Sequence, residues 1–154
     1  MTKNLALLAA LGSLGMMLGA WGFQYIGDMA PCELCLWQRW PHKIAIALGL
    51  LMFFLPNRWI ALLGALVVLV GAGIAFYHAG VELKFWDGPD TCTGLPSLTG
   101  TLTVEDLFAR PVVRCDDIPW SMFGISMAGW NGIVSIGLAA MWLFSFKAGG
   151  KQKS

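Results

Sequence analysis

Three long stretches without a charged residue limit what this chain can fold into. Residues 5–26, 59–77 and 118–146 contain no Asp, Glu, Lys or Arg. A helix of about 20 apolar residues crosses the roughly 30 Å hydrocarbon core of a lipid bilayer, and each stretch is long enough to do so. Because 57% of the 154 residues are hydrophobic and only 12% are charged, the chain is predicted to be a membrane protein rather than a soluble domain.

A fourth apolar run, residues 44–55, is too short to span a bilayer by itself. Extending it upstream to Leu34 makes it long enough and places Arg39 and Pro41 in its first turns. Near the interface, a long cation can reach the headgroups and a proline is tolerated. The predicted spans are therefore about residues 5–26, 34–55, 59–78 and 118–146. The first is interpreted as an uncleaved helix rather than a signal peptide, because its apolar stretch is long and further spans follow.

The predicted fold class is an all-α, polytopic membrane protein, a bundle of four transmembrane helices forming one domain over residues 1–154. Its loops at about residues 27–33 and 80–117 face the same side. The other side, with both termini, carries five cations and no acid. The loop side also carries five cations, but most lie in the long loop, where they weigh less in the positive-inside rule. Both termini are therefore expected in the cytoplasm.

All four cysteines lie on the loop side, where disulfides persist if the compartment is oxidising. Cys32 and Cys35 form a C-x-x-C motif at the predicted start of the second helix, whose positive end stabilises a thiolate. Arg39 shares their helix face at spacing i, i+3, i+7, so its guanidinium can stabilise a nearby anion. Cys92 and Cys115 lie in the long loop, and Cys92, among glycines and prolines, is expected to be accessible to a macromolecule. Four cysteines allow three pairings, which stay open here.

The C-x-x-C motif also has other interpretations. Zinc is disfavoured because Cys92 and Cys115 have 22 residues between them and no histidine completes a usual spacing. Position 36 lacks the histidine of a c-type haem site, so a structural disulfide and a redox relay remain. His78, at the outer end of the third span, is either an interfacial hydrogen-bonding residue or part of a pocket with Arg39. Residues 101–113 predict a short helix, either on the membrane surface or in an ordinary loop.

Small residues predict how the helices pack. Gly15 and Gly19 form a GxxxG pattern on the first span, and Gly124, Ala128 and Gly132 recur at every fourth position on the last. Both patterns predict close approach between helix backbones.

The complete pattern resembles the DsbB family of bacterial inner-membrane disulfide bond formation proteins. The resemblance rests on four spans, on C-x-x-C-x-x-x-R at the outer start of the second, on the loop cysteine pair, and on the segments PCELCLWQR and PWSMFGISMAGWN. It implies a quinone-dependent thiol oxidase in the bacterial inner membrane that reoxidises a periplasmic DsbA-like protein of the thioredoxin fold, and so sustains disulfide bond formation. It also implies ubiquinone or menaquinone as the cofactor, the loops in the periplasm, and neither a metal nor a nucleic acid.

The resemblance further implies a role for each cysteine. Cys92 is the sulfur attacked by the reduced partner protein. Cys115 then leaves and attacks Cys32, and Cys35 is released as a thiolate that contacts the quinone.

Arg39 matches the family arginine that supports the quinone, and His78 is a weaker match as a second quinone contact. Two other functions remain open: a DsbB paralogue dedicated to another thiol partner, and a structural four-helix membrane protein stapled by two inert disulfides, in which Cys35 is unreactive. An enzyme similar to vitamin K epoxide reductase is disfavoured, because in that family the C-x-x-C motif follows the loop cysteines and here it precedes them.

Overall fold

Four long helices dominate the structure, a computed structural model that describes residues 2–93 and 113–151. The elements, in chain order, are α1 (Thr2–Tyr25), α2 (Glu33–Phe54), α3 (Arg58–Glu82), the short helix α4 (Asp90–Thr93), strands β1 (Ser121–Met122) and β2 (Ile125–Ser126), and α5 (Met127–Lys151). The predicted four-helix, all-α architecture is confirmed. The helix predicted over residues 101–113 lies, except for its last residue, outside the described part of the chain.

The long helices have the lengths that a bilayer requires. By length and composition, α1, α3 and α5 can each cross a membrane, over Lys3–Tyr25, Arg58–Glu82 and Met127–Gly149. Helix α2 is less apolar because Glu33, Arg39 and Lys43 lie in its first half, but its 22 residues still extend about 33 Å. In the bundle, α1 and α3 each pack against both α2 and α5.

The last helix begins later than the sequence predicts. It starts at Met127 rather than near residue 118, and the residues before it form an antiparallel hairpin of β1 and β2, with Ser121 opposite Ser126. Phe123 and Gly124, at the turn, both have positive φ angles, 54° and 76°, which is the geometry of a tight two-residue hairpin. An uncharged run does not distinguish this hairpin from helix. Gly124 is therefore a turn residue, and its predicted role in helix packing is wrong.

Small residues bring α3 and α5 together, but not every predicted pair does so. A Cβ atom added to Gly64 would lie 2.6 Å from the ring of Trp142, and one added to Gly132 would lie 2.8 Å from the ring of Phe76. At Gly15 and Gly19, by contrast, an added Cβ would meet nothing within 4 Å. The prediction that this pair mediates helix contact is wrong: both glycines line a cavity beside α1.

The contact between α1 and α2 gives a first testable prediction. A Cβ added to Gly49 would lie 2.1 Å from the Cβ of Ala10, so we expect Gly49→Ala to force the helices apart and to destabilise the protein by about 1–3 kcal/mol. The measurement is the thermal unfolding midpoint in detergent. Gly73→Ala is the matched control, because its Cβ would meet nothing within 4 Å. Equal midpoints for the two variants would contradict the prediction.

Candidate functional site

The C-x-x-C motif lies at the N-terminus of α2. Cys32 is the N-cap residue, and its Sγ accepts a hydrogen bond from the backbone N–H of Cys35 at 3.2 Å. The Cys32 thiol donates to Cys35 Sγ, with 2.7 Å between the sulfurs. This hydrogen bond, followed by burial, raises the pKa of the Cys32 thiol above its ordinary value. The arrangement keeps the proton on Cys32 and favours negative charge on Cys35, at the positive end of the helix.

The separation of these sulfurs also bears on the zinc alternative. Two thiolates bound to one tetrahedral zinc ion, each about 2.3 Å from the metal, lie about 3.8 Å apart. Cys32 and Cys35 are much closer than that, at 2.7 Å. Within the described residues, Cys32, Cys35 and His78 offer three possible ligand atoms within 4.8 Å of one another, whereas a structural zinc site uses four.

The other two cysteines form a disulfide that packs on the first pair. Cys92, in α4, is bonded to Cys115 with 5.1 Å between their Cα atoms, and the N–H of Cys115 donates to the carbonyl of Cys92 at 3.2 Å. Cys32, Cys92 and Cys115 belong to one buried cluster with Leu34 and Val81. The two cysteine pairs therefore pack against each other.

Cys92 is not as accessible as the loop composition predicts. Its exposed fraction is 2%, and that of Cys115 is 0%. The glycines and prolines around Cys92 indicated a solvent-facing sulfur, but a disulfide is a small hydrophobic group and packs well against Val81 and Leu34. A macromolecule can therefore attack the Cys92 sulfur only after the residues packed around it move.

A group of ion pairs holds the residues that flank Cys115 in the sequence. Asp116 accepts hydrogen bonds from Arg114, at 2.9 and 2.7 Å, and from Lys84. Arg114 and Lys84 hold the pKa of the Asp116 carboxyl well below its usual range. Arg114 is thus engaged by Asp116 and, at 3.8 Å, by Asp117. These pairs are largely exposed, so their contribution to stability is small, but they anchor the residues after Cys115 to the end of α3.

Arg39 forms hydrogen bonds with residues of α1. Its Nη1 donates to Gln24 Oε1 at 2.6 Å, and its Nη2 donates to the carbonyl of Ala20 at 3.5 Å. Within the described residues, no carboxylate forms an ion pair with this guanidinium. Its positive charge is therefore available to a ligand.

His78 lies at the contact between the two cysteine pairs. Its exposed fraction is 2%, and its Nε2 is 3.6 Å from Cys32 Sγ and 3.1 Å from the carbonyl oxygen of Cys115. Glu82, one turn further along α3, is 3.9 Å from the same nitrogen and accepts a hydrogen bond from Ser126. His78 and Arg39 line the same cavity, and His78 also makes buried hydrogen bonds, so a role for His78 at a bound cofactor stays a prediction.

A cavity of about 670 Å³ lies between α1, α2 and α5, and Met122 of β1 is on its wall. Cys35, Arg39 and His78 lie on its wall together with Gly15, Gly19, several methionines and Trp120. An apolar cavity with a few convergent polar groups is typical of a small-molecule site. The residues fit a quinone: an apolar wall suits its ring, a cation suits an oxygen that gains charge, and a sulfur borders the same space.

A comparison with known proteins identifies the family. The family model for disulfide bond formation protein DsbB matches residues 2–145. The chain belongs to the DsbB family. Disulfide bond formation protein B of Shewanella sp. (strain MR-4) is 32% identical over 130 residues, covering 79% of this chain and 74% of that protein. The protein of the same description from Mannheimia succiniciproducens is 30% identical over 156 residues, covering 93% and 86%.

A more distant relative, disulfide bond formation protein B of Hahella chejuensis, is 26% identical and covers 94% of this chain and 93% of its own length. No solved structure matches significantly. As a DsbB family member, the chain is a multi-pass membrane protein of the thiol oxidoreductase class. The DsbB resemblance stated from the sequence is confirmed.

Sequence reasoning missed several polar residues of this DsbB site. Gln38, His42 and Glu82 are all buried, with exposed fractions of 5%, 4% and 6%, and Asn131 on α5 bonds to the first two. A signal existed for two of them: Gln38 and His42 lie three and seven residues after Cys35, on the face of α2 that carries the sulfurs. Asn131 offered no such signal, because its place opposite α2 depends on helix packing.

Proposed function

We propose that this protein is a quinone-dependent thiol oxidase that reoxidises a periplasmic DsbA-like dithiol protein. The observation that carries the proposal is one buried cluster that contains Cys32, Cys92 and Cys115, with the partly buried Cys35 packed against it and also on the wall of the cavity that Arg39 borders. A path for electrons from a protein substrate to a lipid-soluble acceptor needs both contacts. Family membership supports the same role.

In this function, the reduced partner attacks Cys92 and displaces Cys115 from their disulfide. Cys115 then attacks Cys32 of an oxidised Cys32–Cys35 pair, and Cys35 leaves as a thiolate. The hydrogen bond from the Cys32 thiol and the helix N-terminus favour negative charge at Cys35 in the described state. A stabilised thiolate is a good leaving group, so the exchange runs toward the cavity.

Ubiquinone or menaquinone, bound in the cavity, supplies the two-electron acceptor chemistry. Cys35, on the cavity wall, would pass electrons to that acceptor. Arg39, held by Gln24 and without a carboxylate partner in the described chain, would stabilise negative charge on the acceptor oxygen. Much of the cavity wall is apolar, which would strengthen this interaction.

We also infer the bacterial inner membrane as the location, with both termini in the cytoplasm and the cysteines in the periplasm. The terminal segments and the short turn between α2 and α3 carry cations and no acid, whereas all nine acids lie on the cysteine side. An oxidising periplasm is also the compartment in which the Cys92–Cys115 disulfide persists.

The test is an anaerobic assay of purified protein in detergent with a reduced DsbA-like dithiol protein and a short-chain ubiquinone. We expect quinone absorbance to fall only when both protein components are present. Menaquinone is tested in parallel. If folded protein consumes neither quinone, the proposal fails, and a paralogue dedicated to another thiol partner or an inert bundle becomes the better interpretation.

Arg39 gives a prediction within the same assay. We expect Arg39→Ala to lower quinone reduction by about 100-fold, the usual effect of removing one preorganised donor of charge stabilisation. The unfolding midpoint should change little, because among the described residues Arg39 makes two hydrogen bonds, both to α1. Lys43→Ala is the matched control, since Lys43 is a cation on the same helix that packs over Trp40. Unchanged quinone kinetics in Arg39→Ala would remove Arg39 from the site.

A further inference from the structure

Three buried polar side chains, those of His42, Gln38 and His78, and the partly buried Asn131 form a hydrogen-bonded chain that the proposed electron path does not use. His42 Nε2 is 2.9 Å from Asn131 Oδ1, Asn131 Nδ2 is 2.5 Å from Gln38 Oε1, and Gln38 Nε2 is 2.7 Å from His78 Nδ1. The chain ends at the carbonyl oxygen of Cys115, 3.1 Å from His78 Nε2. It therefore joins α2, α3 and α5 to the loop disulfide, and we name it the polar chain.

The Cys115 carbonyl determines the direction of every bond in the polar chain. A carbonyl oxygen can only accept, so His78 Nε2 must carry a hydrogen. In a neutral ring His78 Nδ1 is then an acceptor, and the nitrogen of Gln38 must donate to it. The oxygen of Gln38 consequently faces Asn131 and accepts from its nitrogen. This direction follows from the Cys115 carbonyl and does not depend on how the oxygen and nitrogen atoms of the two side-chain amides are assigned.

The same logic reaches the far end of the polar chain. The oxygen of Asn131 accepts from His42 Nε2, which therefore carries a hydrogen, and it also accepts from Ser135 at 3.4 Å. His42 Nδ1 is then a bare acceptor, and within the described residues it has no hydrogen-bond partner. As neutral rings, both histidines therefore carry the hydrogen on Nε2.

We propose that Gln38, Asn131 and His42 are positioning residues that hold His78 with its Nε2–H directed at the Cys115 carbonyl and the Cys32 sulfur during exchange between the two cysteine pairs. This inference rests on the proposed function, because that exchange is a step in it. With Nδ1 bound by Gln38, the imidazole cannot rotate or change tautomer without breaking a buried hydrogen bond. The ring then keeps Cys115 beside Cys32 and offers a donor to negative charge on Cys32 Sγ, 3.6 Å away.

The exchange that His78 assists is balanced without an external oxidant. In the Cys35→Ser variant, which lacks the Cys35 sulfur that holds the proton on Cys32, Cys32 loses its proton and attacks Cys115 Sγ, the Cys32–Cys115 bond forms, and the Cys92–Cys115 bond breaks. Cys92 leaves with the electron pair and takes up the proton that Cys32 lost. One disulfide is present before and after. In the proposed function, electrons move from Cys115 to Cys32, which is the opposite direction. That exchange also places negative charge on sulfur next to His78, so a hydrogen-bond donor at Cys32 lowers its barrier too.

The first test is a spectroscopic measurement of the histidine tautomers. The chain has only two histidines, so ¹⁵N-histidine labelling of the full protein in detergent gives a simple NMR spectrum, assigned by loss of signals in His42→Phe. We expect His78 in the wild type to be neutral, with Nε2 protonated and Nδ1 bare. Asn131→Leu and Gln38→Met should replace this single state by a mixture of tautomers. Ser135→Ala, which among the described residues removes a long bond to Asn131, should leave it unchanged.

The second test measures the exchange itself. In a Cys35→Ser background, appearance of the Cys32–Cys115 disulfide is followed by acid quench, alkylation and mass-spectrometric mapping. We expect Asn131→Leu to slow it about fivefold, the effect of losing one positioning hydrogen bond, and Ser135→Ala to leave it unchanged. A charged His78, or one protonated only at Nδ1, in the wild type overturns the inference, as does an unchanged rate in Asn131→Leu. Neither test uses quinone or a partner protein. If both tests give the expected results and the oxidase assay fails, only the proposed function is refuted.

Discussion

In Cys35→Ala, we expect quinone reduction driven by a dithiol protein to fall by at least about 1,000-fold, as when the reacting group of a catalytic unit is removed. Both sulfurs of the C-x-x-C motif line the cavity, and the hydrogen bond from Cys32 and the helix N-terminus favour negative charge on Cys35. Without Cys35, the Cys32–Cys35 disulfide cannot form, so the pair cannot pass on two electrons. The measurement is the rate of loss of quinone absorbance under anaerobic conditions.

The Cys35→Ala variant also provides its own control for folding. Its Cys92–Cys115 disulfide remains, so the reduced partner protein should still be oxidised by about one equivalent per protein and no further. This single round shows that the variant is folded and reaches its partner. Quinone loss at the wild-type rate would contradict the role of Cys35 and would favour the structural, inert interpretation of the C-x-x-C motif.

In Cys92→Ser, we expect turnover with the dithiol protein to fall by a similar factor, about 1,000-fold, while a small dithiol such as dithiothreitol still drives quinone reduction. The reason is that a small reagent can reduce an oxidised Cys32–Cys35 pair directly, whereas a protein partner must enter through the loop disulfide. Comparing the two reductants in one quinone assay gives the measurement.

Cys115→Ser is the matched variant, because it breaks the same disulfide from the other side. With oxidised partner protein, its free Cys92 should form a mixed disulfide that a non-reducing gel resolves, and Cys92→Ser should form none. Normal protein-driven turnover in Cys92→Ser would exclude Cys92 as the entry point. Because Cys92 is only 2% exposed, we expect the trapped complex to form slowly.

The sequence predicted some residues of the site and missed others. The C-x-x-C motif and Arg39 were found because local chemistry and helix periodicity place all three on one face of α2, and that placement needs no knowledge of the other helices. Gln38 and His42 lie on the same face but were passed over, since a polar residue there can equally face headgroups. The accessibility of Cys92 was predicted incorrectly, because loop composition does not reveal what packs against a disulfide.

The sequence alone determined that this protein crosses a membrane with four helices and that its cysteines share one side, because long uncharged runs and short cationic segments act through the bilayer rather than through particular contacts. Only the tertiary structure decided three other features: the hairpin before α5, the cavity that Gly15 and Gly19 leave open, and the joining of His78 to Asn131 through Gln38. Gln38 and Asn131 are 93 residues apart in sequence. Their contact depends on how α2 and α5 pack, and hydrophobic periodicity does not specify which side chains meet across that interface.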